Sequence, residues 1–262
     1  MKSVFRIEGS AAHTGALAGG PWNPELQHGG APAALVAWLA EQVPTAQPMH
    51  AVRLTLDLMR PLPIVPLEFK TELLREGRKI QLIGITLHAA GKEVVRASVL
   101  KVRAEDMPQL SGVGEAPVDV PLPEMLPTLD NKFVHSSPFI SIAELRDAVN
   151  GFGKRGPGAT WFRFRVPIIE GEENSSFMRA VATADFCNGV SATLGREWTF
   201  LNGDLTVNFA RMPVGEWILL NAETWVGTGG AGLAAGRLAD ERGYFGRVSQ
   251  SLVIERGVSP FP

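Results

Sequence analysis

The chain has 262 residues, with 25 Lys and Arg against 27 Asp and Glu, a formal net charge of −2, and 45% hydrophobic against 20% charged residues. That balance suits an ordinary globular core in one large domain or two modest ones, and it leaves no electrostatic footprint for nucleic acid. The single cysteine, Cys187, excludes an intrachain disulfide and a cysteine-rich zinc site. The start, MKSVFRIEGS, is too polar for a secretory signal, and no apolar run reaches the roughly 18 residues of a membrane span. A soluble, cytoplasmic protein is expected.

In chain order, SVFRIEG reads as a short strand and AAHTGALAGGPWNPELQHGG as loop. APAALVAWLAEQ follows as a helix, with Leu35, Trp38 and Leu39 on one face and Pro32 in the first turn, where its missing N–H is harmless. AVRLTLDLMR alternates as a strand, and the stretch from Leu67 to Glu105 reads as three more, with turns near Glu76-Gly77 and Ala90-Gly91. Residues 107–158 are a linker, rich in Pro up to Thr128, with a short helix over SIAELRDAV and a loop at GFGKRGPG. After it come a strand at WFRFRVP and a short helix with its entrance in ATADFCNGVSATLG. Strands at GDLTVNFARMP, GEWILLNAETWVG, AGLAAGRLAD and YFGRVSQSLVIERG complete the chain.

The second run of elements repeats the first. An offset of about 151 residues sets Arg60 on Arg211, Leu54 on Leu205, Thr55 on Thr206, Arg96 on Arg247 and Ser98 on Ser249. Both runs are a helix followed by antiparallel strands, not the alternation of a wound α/β sheet. The expected architecture is α+β, with each sheet curled around its helix. Residues 1–106 form one unit and 159–262 the other, and a ligand crevice lies between them.

Several residues stand out. His28, Gly29 and Gly30 precede the first helix, although glycine costs about 1 kcal/mol against alanine inside a helix. The pair is read as a tight turn or as an opening for close approach to the helix N–H groups. Asp185, with Phe186 after it, stands at the start of the second helix, as an N-cap or as a base. Asn188 and Gly189 follow at the same entrance. Gln250 lies on an apolar strand between Val248 and Leu252, where a buried amide needs partners: a neighbouring backbone or a held water. Asn202 precedes Gly203, either as a turn residue or as a water ligand.

HGG before the first helix, Ala184-Asp185-Phe186 at the second, the strand GDLTVNFARMPVGEW and VSQSLVIE near the end share an order and spacing. In these the chain resembles the double hot-dog acyl-CoA thioesterases, the group that includes bacterial thioesterase II, over nearly its whole length. The resemblance implies two fused hot-dog units and hydrolysis of acyl-CoA to a free acid and CoA, with no metal or prosthetic group and with CoA entering only as part of the substrate. It also implies a catalytic set of Asp, Thr or Ser, and Gln in the second half. Asp185 and Gln250 match two of these, and Asn202 falls on the third, a departure that keeps the power to donate to and accept from a water. His28, Gly29, Gly30, Asn188 and Gly189 are the expected substrate contacts, and which helix entrance serves the oxyanion stays open. Two rivals share the fold. One is a hydratase or dehydratase, which needs an Asp paired with a His beside the helix entrance, and His28 has no Asp close by in sequence. The other is a non-catalytic acyl-CoA sensor. A dimer of two-unit chains is the expected assembly, through the sheet edges.

Other features weigh less. Gly227 to Gly232 contains G-x-G-x-x-G, but a strand, not a helix, is expected after it. Arg75 to Lys79, REGRK, is a basic turn that either meets phosphates or is simply solvated. Cys187 has no convincing His partner, and the five His residues have no metal spacing. The stretch from Met107 to Thr128 is expected to strap the two halves together.

Overall fold

The computed structural model describes residues 2–108, 117–131, 134–135 and 137–259. The first half contains β1 (Phe5–Glu8), β2 (Ala11–Thr14), α1 (Gly30–Gln42), β3 (Met49–Leu58), β4 (Leu67–Glu76), β5 (Ile80–Ala89) and β6 (Lys92–Arg103). The second contains α2 (Pro138–Ser141), β7 (Ala143–Val149), β8 (Gly158–Phe164), α3 (Ser176–Ala184), α4 (Cys187–Val190), β9 (Trp198–Asn202), β10 (Asp204–Phe209), β11 (Ile218–Val226), β12 (Ala231–Asp240) and β13 (Gly243–Arg256).

All the strands join one antiparallel sheet in the order β1-β2-β4-β5-β6-β3-β10-β13-β12-β11-β8-β7, with β9 added on β13. The two halves of that order mirror each other about the β3–β10 seam. Leu67, Ile80 and Lys92 open strands in the first half, and Ile218, Ala231 and Gly243 open their counterparts 151 residues later. At the seam Thr55 lies opposite Thr206, its own counterpart at that offset. A local twofold axis therefore passes between these two threonines, which is the geometry of a fused pair of hot-dog units.

Helix α1 is buried on nearly every side, from Gly30 through Ala37 and again at Leu39 and Ala40. A helix apolar all round belongs in a core. Its run of alanines lets α3 pack close, and the sheet wraps both helices with Leu54, Leu56, Ile83, Ile85, Val95, Val99, Leu205, Val207 and Val248 facing in. The Ala182 carbonyl oxygen reaches the start of α1, and Ser175 before α3 bonds Glu41 near the end of α1, so the two helices run antiparallel.

Four sequence expectations change. The expected helix over SIAELRDAV is one turn, α2, followed by strand β7. A-E-L-R-D-A-V alternates as well as it winds, and the choice falls to Glu144, which sits opposite Arg163 on β8 and bonds Arg146, Arg163 and Arg165. Ala11–Thr14, expected as loop, is a strand paired with β1, and Trp198–Asn202, where only the Asn202 turn is expected, is a strand paired with β13. The second helix begins at Ser176, not within ATADF, because Ser175 caps it by accepting from the Met178 N–H at 3.1 Å. Last, the packing contacts of the strap among the described residues are with the second half. Val118, Val120 and Leu126 cover Trp161, Trp217 and Tyr244 on the second half alone, and the Trp161 indole N–H donates to the Pro121 carbonyl at 3.0 Å. Residues 109–116 of that stretch lie outside the described residues. Among the described residues no helix is long and apolar enough to cross a membrane.

Candidate active site

Asp185 is not an N-cap. It follows the last residue of α3 with helical φ and ψ and joins α3 to the single turn α4. Its side chain is 3% exposed, and three groups converge on its carboxylate. Oδ1 accepts from Asn202 Nδ2 at 2.9 Å and from Gln250 Nε2 at 3.1 Å. Oδ2 lies 3.0 Å from His28 Nδ1, which the other half supplies. The sequence put no Asp near His28, so this pairing corrects that expectation: the fold brings the two together across the seam.

Gln250 occupies a core-facing slot of β13 and is fully buried. Its Nε2 also donates to the Asp185 carbonyl at 3.1 Å, and its Oε1 accepts from the Asn188 N–H at 3.2 Å. Both amide hydrogens are thus spent on Asp185, and Gln250 does not line the cavity. Asn202 closes β9, donates additionally to the Asp204 carbonyl at 3.2 Å and lines the cavity. Its Oδ1 has no protein partner among the described residues, which leaves an acceptor for a water.

His28 is stacked on Phe139, with centroids 5.0 Å apart, and tilted against Phe186 at 4.6 Å. Nδ1 lies 3.0 Å from Asp185 Oδ2 and 3.0 Å from the Gly30 nitrogen. One ring nitrogen has one in-plane site, so it donates to the carboxylate or accepts from Gly30, and never does both at once.

The two glycines make room for protein. A Cβ on Gly29 would stand 2.8 Å from both oxygens of Asp185, and a Cβ on Gly30 would stand 2.8 Å from Phe139 Cε1. Gly29 therefore admits the carboxylate itself. Gly30 is buried and does not line the cavity.

The cavity holds about 400 Å³. Asp185, His28, Gly29 and Asn202 form its polar end, and Asn188 and Gly189 lie beside them. Trp22, Leu26, Leu58, Leu62, Ile140 and Phe152 form apolar wall that single-residue reasoning from the sequence did not single out. Only Phe186, next to Asp185, stood near a noted residue. The helix entrances differ in what they leave free. At α4 the Asn188 N–H goes to Gln250 and the Gly189 N–H to the Phe186 carbonyl at 2.9 Å. At α1 the Gly29 N–H has no acceptor among the described residues. Cys187 is fully buried, and burial first, with Asp185 beside it second, pushes its thiol up, away from the thiolate a nucleophile needs. The G-x-G-x-x-G stretch is the turn after β11 and the first two residues of β12, with no helix after it.

A fold of two mirrored units, with one polar cluster walled by apolar side chains at their junction, defines a double hot-dog protein. The chain belongs to the acyl-CoA thioesterase family: residues 18–102 match its N-terminal domain and residues 115–254 its C-terminal domain. Among solved structures it is similar to a hot-dog protein of unknown function from Alicyclobacillus acidocaldarius, with 17% identity, a TM-score of 0.77 and coverage of 97% of this chain and 96% of that one. It is also similar to the acyl-CoA thioesterase II TesB2 from Mycobacterium marinum, with 16% identity, a TM-score of 0.68 and coverage of 96% and 95%. A comparison with curated proteins finds no match.

Proposed function

We propose that the cavity hydrolyses the thioester of an acyl-CoA, with Asp185 as the base. The observation that carries this reading is the carboxylate at the cavity wall. A carboxylate offers about four lone-pair sites. Asn202, Gln250 and His28 use three, and one on Oδ2 remains for a water. The His28 proton is assigned to Nδ1, because a bond to the carboxylate is stronger than one between two neutral groups.

A water that donates to Asp185 Oδ2 and to Asn202 Oδ1 has its own lone pair free to attack the thioester carbonyl. Asp185 takes its proton. The carbonyl oxygen becomes an oxyanion, and the free Gly29 N–H at the positive end of α1 is the donor available to it. Collapse breaks the C–S bond and expels thiolate, which leaves readily since a free thiol titrates near about 8.5. Gln250 acts as a positioning residue that fixes Asp185 from behind. The apolar wall suits an acyl chain, and a reducing cytoplasm suits the unpaired Cys187.

The His28–Asp185 pair supports a second reading, hydration or dehydration of an enoyl-CoA, because that chemistry needs an acid and a base flanking one substrate. Thiol release from a panel of acyl-CoAs, with mass analysis of the acyl group, separates the two. The thioesterase reading expects free CoA, and Asp185→Asn is expected to lower kcat by about 10²- to 10⁴-fold with the melting temperature kept. Wild-type rates from that variant, or a hydrated acyl group still attached to CoA, would overturn it. Binding without turnover would make the chain a sensor.

A further inference from the structure

The fold has a second pole, at the opposite end of β3 from the catalytic cavity. There a cleft of about 580 Å³ is lined by Gln47, Ile80 and four cations, Arg75, Arg78, Lys79 and Arg103. The ten residues of β3 put roughly 30 Å between this cleft and the catalytic cavity, and the two share no lining residue.

Two observations converge on this cleft. Arg75, Arg78 and Lys79 are exposed and have no ion-pair partner among the described residues, whereas Arg103 bonds Glu105. The internal repeat supplies the control. At the 151-residue offset Arg75, Arg78, Lys79, Arg103 and Gln47 correspond to Val226, Gly229, Gly230, Ile254 and Trp198. The same turn therefore forms in the second half with no charge at any of these positions, so the cations of the first half are not there to make the turn.

We propose that this cleft binds a pyrophosphate-bearing ligand. Clustered guanidinium groups match phosphate oxygens in pairs, and several unopposed cations in one concavity favour a compact multiple anion over a single carboxylate. The chemistry is shared by a free nucleoside diphosphate and by the nucleotide head of CoA. The proposal is independent of the thioesterase reading, because the cleft contains none of its residues.

The test is calorimetric titration of the full chain with inorganic pyrophosphate, ADP and desulfo-CoA. It compares wild type, Asp185→Asn and the triple variant Arg75→Gln, Arg78→Gln, Lys79→Gln. Wild type and Asp185→Asn are expected to bind ADP alike, more weakly as salt rises, and the triple variant at least tenfold more weakly than either. Single variants at Arg75 and Arg78, each expected to weaken binding severalfold, serve if the triple variant loses its melting transition. Tighter binding of desulfo-CoA than of ADP, lost in the triple variant, assigns the source as CoA; equal binding assigns it as nucleotides at large. Absence of saturable binding of all three by wild type, or unchanged affinity in the cation variants, would overturn the proposal.

Discussion

The two ends of the antiparallel helix pair are built on one plan and finished differently. At each end a carboxylate near the end of one helix touches the residue before the start of the other: Asp185 against Gly29 at one, Glu41 against Ser175 at the other. Ser175 caps α3 through its side chain, while Gly29 provides no side-chain cap for α1. Behind Asp185 the sheet supplies Gln250; the counterpart of Gln250 at the 151-residue offset is Val99, fully buried and apolar. The end with a serine is finished for stability. The end with a glycine gives up a cap and gains a carboxylate at a cavity wall. A duplicated fold has two such ends, and under the thioesterase reading one of them suffices for chemistry.

The largest effect expected from breaking the likeness of the halves lies at Arg211 and its counterpart Arg60. Arg211 bonds Asp240 through both terminal nitrogens, and Asp240 is fully buried and also accepts from the Val214 and Arg242 N–H groups. Burial opposes the Asp240 charge, and these partners outweigh it, so its carboxyl titrates below the ordinary range. Ala89 stands at the corresponding place in the first half, and Arg60 there donates, among the described residues, to the Glu93 carbonyl alone. Asp240→Ala is expected to cost about 2–4 kcal/mol in denaturant unfolding, since it removes a buried acceptor and leaves the Val214 and Arg242 N–H groups without it, while the partly exposed Arg211 keeps the Gly243 carbonyl. Arg60→Ala is expected to cost under about 1 kcal/mol. Equal losses would end the claim that this position in the second half, unlike its counterpart, holds a buried carboxylate of structural weight.

Gly29→Ala is the next break. Its methyl group would press on both Asp185 oxygens, which must move to admit it. A displacement of about 1 Å at a reacting group costs on the order of 10²-fold in rate, so kcat is expected to fall by about that factor while the melting transition is kept, since Gly29 already has helical φ and ψ that alanine adopts without strain. Unchanged turnover would mean that the Asp185 carboxylate is not held where the chemistry needs it.

The halves were legible in the sequence because strands repeat at a fixed offset, and Leu54, Thr55 and Arg60 could be laid on Leu205, Thr206 and Arg211 without a structure. The members of the polar cluster that lie in the second half, Asp185, Asn202 and Gln250, were legible through the resemblance. Contacts across the seam were not. Nothing near His28 in sequence announces Asp185, and nothing in HGG says that the missing Cβ is replaced by a carboxylate of the other half. β7 was misread as a helix for the same reason: Glu144 is fixed by Arg163 and Arg165, which lie beyond any local window.

That cluster also yields a pH prediction. Burial raises the Glu144 carboxyl, and bonds from Arg163, Arg146, Arg165 and Thr128 more than reverse this, taking it from the ordinary 4.5 to about 2. A folded value below the unfolded one means the unfolded chain binds the proton first as pH falls. The stabilisation is therefore complete above about pH 4.5 and lost as pH drops through about 2. Glu144→Gln is expected to cost about 1–2 kcal/mol at pH 7, allowing for solvent screening of the more exposed arginines. It is also expected to flatten the acid limb of stability against pH between those values. An unchanged acid limb would remove β7 from the elements held by charge.

The smallest effect returns to the helix ends. Ser175→Ala removes the cap on the Met178 N–H, worth about 1 kcal/mol, and the donor to Glu41 Oε2 at 2.8 Å. Burial already pushes the Glu41 carboxyl up, while Ser175 and Lys101 pull it down. Loss of the serine lets it rise further, so part of the cost is met by protonation and the net loss stays near about 1 kcal/mol. Turnover is expected to be unchanged, measured on the acyl-CoA that wild type cleaves best. The contrast with Gly29→Ala is the sharpest form of the comparison: one variant lowers stability and spares the rate, the other lowers the rate and spares stability. A rate loss from Ser175→Ala comparable to that from Gly29→Ala would show that the two ends share the chemistry after all.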